Sequence, residues 1–113
     1  MTLGELAERE NLVGRVFRAH ETNGFAYRGI VAKTEVRGKT AILSLKNHDR
    51  RFEGKTGHSN WKHLPDTEIG FGAAIQIQQV EKIISFFVPG AMSRIYLYPK
   101  GTRVEEAEHA PRI

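Results

Sequence analysis

The chain has no cysteine, one tryptophan, two methionines and four prolines among its 113 residues. Without a thiol there can be no disulfide, thiolate nucleophile, Cys-based zinc finger or iron–sulfur cluster, and the composition suits a reducing compartment. No stretch approaches the ~18 consecutive apolar residues of a membrane-spanning helix. The opening MTLGELAERE has no basic segment leading into an apolar run. A cytoplasmic protein with no membrane partner is therefore expected. Nucleotide and nucleophile signatures are missing as well. The string Gly54-Lys55-Thr56 would need a glycine five residues before Gly54 to form a phosphate loop, and Asp49 stands there. Ser59 lies in HSN rather than in GxSxG. No cofactor and no enzymatic activity are expected.

What is present is an ordinary globular balance, 40% hydrophobic and 27% charged, on a length that suits one domain over residues 1–113. Seventeen Lys and Arg against thirteen Asp and Glu give a net charge of +4. The isoelectric point near 9.6 passes the usual mark for a basic nucleic-acid-binding domain. The excess is not spread evenly. Residues 46–64 hold five basic and two acidic side chains, whereas residues 65–113 hold five and six.

Thr2 followed by Glu5 is a capping-box pattern, and Leu3, Leu6 and Ala7 share a face, so a short helix over 3–10 is predicted. Residues 12–20 favour extended structure. Asn23-Gly24 then predicts a two-residue type I′ hairpin into a strand over 25–36. Arg37-Gly38 predicts a second tight turn into a strand over 39–45, where Ala41, Leu43 and Leu45 alternate with Thr40, Ile42 and Ser44. After the central segment, Pro65-Asp66, Gly70 and Gly72 mark irregular backbone. Strands are expected from about Ala73, where Ile75 and Ile77 alternate with Gln76 and Gln78, over 83–88, and over 94–98. A polar tail covers 102–113.

Three strands, an insertion and two or three more strands predict an all-β fold, mainly β with a short N-terminal helix. The expected architecture is a small OB-like or SH3-like barrel of about five or six antiparallel strands. The segment GAAIQIQQVEKIISFFV, residues 72–88, is similar in apolar pattern to the closing strands of the OB domain of bacterial NAD-dependent DNA ligases. The similarity covers a short part of the chain and identifies no family, and no ligase active-site motif accompanies it.

The basic insertion expected over 46–64, KNHDRRFEGKTGHSNWKHL, is the candidate binding element. Lys and Arg gain free energy by displacing counterions from a phosphate backbone, and aromatic rings stack on unpaired bases without regard to their identity. Phe52 and Trp61 are the stacking candidates, with Lys46, Arg50, Arg51, Lys55 and Lys62 as phosphate contacts and Arg28 joining them from the preceding strand. Against this stands the plainer use of Phe52 and Trp61 as anchors pinning a solvated loop to the barrel. Phe25, Tyr27, Tyr96 and Tyr98 are further ring candidates, each equally suited to packing. His48, Asp49, His58 and His63 raise a metal reading, but their spacing matches neither HExxH nor a Cys-His finger.

The expected function is a non-enzymatic nucleic-acid-binding domain, with RNA or single-stranded DNA ahead of duplex. An interaction module engaging an acidic protein surface is the alternative, and a metal-dependent nuclease the third. The apolar run over 83–88 offers a homodimer seam.

Overall fold

The computed structural model describes residues 1–104, so residues 105–113 of the expected tail lie outside the described residues. Helix α1, Leu3–Arg9, begins with the expected capping box. The Thr2 hydroxyl accepts from the Glu5 amide at 3.2 Å, and the Glu5 carboxylate accepts from the Thr2 amide at 3.1 Å. The next free amides of the first turn donate to a crossing segment, Leu3 to the Ile75 carbonyl at 2.8 Å and Gly4 to the Ala73 carbonyl at 2.9 Å. A short helix is thereby supplied with the acceptors that its own first turn lacks.

Among the described residues nine strands follow: β1 (Val16–Glu21), β2 (Phe25–Arg37), β3 (Thr40–Gly54), β4 (Gly57–His58), β5 (Lys62–His63), β6 (Thr67–Gly72), β7 (Gln78–Val80), β8 (Ile83–Val88) and β9 (Ser93–Tyr98). The sheet order is β4-β3-β2-β1-β9-β8-β7, with β5 and β6 also paired to β3. Every pairing is antiparallel. The sheet curls into a half-barrel, the all-β, barrel-like class expected, with more strands because β4, β5 and β7 are very short.

Alternate residues of the strands fill the concave side. Phe17 and Ala19 of β1, Leu43 and Leu45 of β3, Ile84 and Phe86 of β8, and Ile95 and Leu97 of β9 form one core, closed at one end by Leu3 and Leu6 of α1. Across β8 the residues Ile83 to Ser85 pair with β7, and Ile84 to Val88 pair with β9. Much of the stretch proposed as a dimer seam is thus engaged within the chain.

Four local expectations differ from the structure. The β1–β2 connection is a three-residue loop, because His20 pairs with Ala26 and only Gly24, at φ +96°, takes a positive φ there. A type I′ turn would require two. Residues 46–54 are not an insertion loop but the second half of β3, whose residues have cross-strand partners because β2 continues alongside: Arg28 faces Asp49, Tyr27 faces Arg50, Ala26 faces Arg51 and Phe25 faces Phe52. Residues 67–72 form a strand despite two glycines, since Ile69 and Phe71 pair with Leu43 and Ala41 and extend the core alternation. Conversely, the expected strand from Ala73 shrinks to β7, because residues 73–77 instead serve the start of α1. No helix among the described residues is long and apolar enough to cross a membrane.

Helix α1 rests on Ala73 at Gly4, where an added Cβ would lie 2.9 Å from the Ala73 Cβ and 3.2 Å from its carbonyl oxygen. In an open helix Gly→Ala stabilises by about 1 kcal/mol. Here the overlap reverses the sign, and Gly4→Ala is expected to destabilise by about 1–3 kcal/mol in urea unfolding. An increase in stability would show that the helix is not seated as described.

Candidate nucleic-acid interface

Because strand residues alternate between faces and paired residues share one, the continuation of β3 sorts the candidate side chains onto opposite sides of the sheet. Tyr27 packs on the core, so its partner Arg50, and Lys62 paired to Arg50, belong to the concave row, as do Phe25 and Phe52 two positions along. Arg28, Arg51 and Asp49 belong to the convex row, together with Arg18 and His20 of β1.

The convex row is a closed electrostatic cluster. Arg18 is 0% exposed, and its Nη2 donates to Glu53 Oε2 at 3.0 Å. Arg51 reaches the same oxygen through Nε at 2.7 Å and Nη2 at 2.6 Å. Arg28 Nε donates to Asp49 Oδ2 at 3.0 Å, and His63 Nδ1 lies 3.1 Å from Asp49 Oδ1. Trp61 is half-buried against these cations, its ring centre 4.2 Å from the Arg28 guanidinium carbon, 4.3 Å from that of Arg51 and 5.1 Å from that of Arg18. Each such contact is worth about 0.5–2 kcal/mol, so Trp61 is engaged by the chain's own cations. The neighbouring Tyr96 and Tyr98 share this face but are buried, packing with Val16.

His20 completes the cluster. Arg18 Nε lies 3.3 Å from its Nε2 and Glu53 Oε1 lies 3.5 Å from its Nδ1. An arginine can only donate, which assigns the lone pair to Nε2 and the proton to Nδ1. Burial, and then the Arg18 charge, push the pKa of His20 below its usual 6.5. His48, on the concave side, is lowered as well, chiefly by burial, with the Pro65 backbone acting in the opposite sense.

The concave row is open. Phe52 is 47% exposed and meets Phe25 edge to face, with ring centres 5.8 Å apart. Its ring covers Gly24, where a Cβ would stand 2.7 Å from Phe52 Cε2. The Arg50 guanidinium lies 5.1 Å from the centre of the Phe25 ring, and its charge partly offsets the burial that raises the Tyr27 pKa. Lys55 and Lys62 are exposed nearby in sequence and register, and Lys46 is exposed further along β3. None of the three lysines has a carboxylate within ion-pair distance among the described residues. Nor do the described residues include a group of three His, Asp or Glu side chains placed to hold a metal ion.

The residues expected to act together therefore divide. Arg50, Phe52 and Lys62 lie on the concave row, Arg28, Arg51 and Trp61 are gathered into the convex cluster, and Lys46 and Lys55 project into solvent. Three contributors, Arg18, His20 and Glu53, were not among the expected binding residues. The signal for Arg18 was available in the alternation of Val16, Arg18 and His20 against Phe17 and Ala19. No family model, curated protein or solved structure matches the chain.

Two outcomes follow from this geometry. Glu53→Gln leaves the buried Arg18 without its carboxylate and is expected to lower stability by about 2–3 kcal/mol, with a change in the emission of the lone Trp61. Unchanged stability and emission would mean that Glu53 is not what holds the cluster. For the two histidines the sign is set by their depressed pKa values. As pH falls through the ordinary 6.5, the unfolded chain takes up protons before the folded one does, and stability is lost. Urea midpoints should hold steady above about pH 7 and fall between about pH 6.5 and 5.5, and the double variant His20→Gln, His48→Phe should flatten that fall.

Proposed function

We propose that the chain is a non-enzymatic, cytoplasmic nucleic-acid-binding domain that takes single-stranded RNA or DNA along its concave rim. The observation that carries this is the exposed Phe52 ring, held edge to face by Phe25 beside the Arg50 guanidinium. An unpaired base gains from a flat ring of this kind, whereas the stacked bases of a duplex offer no free face. Lys55 and Lys62, with no carboxylate to neutralise them among the described residues, supply positive charge for the backbone of such a strand. In this reading Trp61, Arg28 and Arg51 act indirectly. They brace the far side of β3 and so hold the rim in place.

Fluorescence anisotropy with labelled single-stranded and duplex oligonucleotides tests the proposal. With Arg50, Lys55 and Lys62 as phosphate contacts, affinity for a single strand should fall about tenfold between about 50 and 200 mM salt. Phe52→Ala should weaken binding by about tenfold with little change in that salt slope. Arg50→Ala with Lys62→Ala should flatten the slope. Absence of binding at low salt would overturn the proposal and direct attention to an acidic protein surface as the partner of the same cations.

A further inference from the structure

Alongside the open rim, the concave face holds a cleft of roughly 200 Å³. Its walls are almost wholly apolar, formed by Phe17, Ile69, Phe71 and Ile95, while Tyr27 and His48 bring the only rings with polar atoms. Tyr27 connects the cleft to the rim, since it pairs with Arg50 across β2 and β3 one pair away from the Phe25–Phe52 contact on the same face. Glu21 also lines the cleft, and after burial its carboxylate is the main influence raising the pKa of the Tyr27 hydroxyl.

His48 is the anomaly that marks the cleft as a site. It is 5% exposed and packs against Tyr27 with ring centres 5.8 Å apart, yet neither ring nitrogen has a hydrogen-bond partner. The Pro65 backbone is near enough to favour its charged form but outside bonding geometry. Buried polar atoms without partners are rare in native proteins, because each forfeits its hydration without replacement. A ligand carrying both a flat apolar ring and a hydrogen-bonding edge would supply what is missing.

Size narrows the class. A sealed apolar cavity of about 150 Å³ takes one benzene. On that scale a cleft of roughly 200 Å³ matches a six-membered ring with two exocyclic atoms more closely than a fused purine, which would extend beyond its open mouth. We infer that this cleft receives one unstacked pyrimidine of the bound strand, its ring faces against the apolar walls and its polar edge toward His48, Tyr27 and Glu21. The inference rests on the single-strand reading above and adds to it a base preference. Splayed-out bases bound through stacking and through their Watson–Crick edges are the usual basis of sequence preference in single-strand recognition.

The test compares labelled decamers of uridine, cytidine and adenosine by anisotropy at low salt, with the wild-type chain and two variants. Ala91 lines the cleft from an exposed turn, so Ala91→Phe fills the cleft without disturbing the core. His48→Phe keeps the ring and removes the nitrogens. The wild type is expected to prefer either pyrimidine decamer over the adenosine decamer by about tenfold. Ala91→Phe should bring the pyrimidine affinities down to that of adenosine, leaving the adenosine affinity unchanged. His48→Phe should narrow the preference while raising the melting temperature. Equal affinity of the wild type for all three decamers, or a preference that survives both variants, would overturn the pyrimidine cleft and leave the single-strand reading standing. Absence of binding to every decamer would overturn both.

Discussion

Arg18 is fully buried on the convex side of the sheet, and a guanidinium cannot shed its charge to escape that environment. The fold therefore has to bring an anion to it. Glu53 is that anion, and it is in reach only because β3 stays paired with β2 as far as Phe52. The same carboxylate gathers Arg51 and faces His20, and Trp61 lies over the three guanidiniums. Removing charges from water is costly unless their remaining valences are filled, so this cluster ties the end of β3 to β1 and β2 by demand as much as by attraction.

The concave rim follows from that tie. Once Arg51 and Glu53 are held on the convex face, period-two geometry turns Arg50 and Phe52 to the opposite side, beside Tyr27 and Phe25. One strand thus carries two different kinds of basic residue. Those on the convex face are neutralised by carboxylates and covered by a ring. Arg50 on the concave face lies over the Phe25 ring with no carboxylate within ion-pair distance among the described residues, next to an apolar cleft at the open side of the half-barrel.

Much of the architecture was legible in the sequence. The capping box at Thr2 and Glu5, the alternation of Ala41, Leu43 and Leu45, and the glycine turns gave a mainly antiparallel fold with a short N-terminal helix, because these features act within a few residues. Boundaries failed where an element depended on a distant partner. Residues 46–54 carry no apolar alternation of their own and become strand because β2 extends alongside them. Gly70 and Gly72 read as breaks, yet the backbone at 67–72 is held in β6 by pairing with the middle of β3. The candidate site shows the same limit. Charge density and aromatic content drew attention to residues 46–64, but nothing local says which of Phe52 and Trp61 is the more exposed.

Composition, spacing and local turn chemistry were enough to determine a cysteine-free, basic, predominantly β domain whose positive charge is densest between residues 46 and 64. Tertiary structure alone decided how that charge is distributed, because a side chain's surroundings depend on residues far away in sequence. Arg18 and Glu53 meet across 35 positions and His48 stands against Tyr27 from the next strand. The parity of a strand can be read along the chain, but which of its faces lies against the core, and which carboxylate reaches which guanidinium, is settled only when the sheet curls.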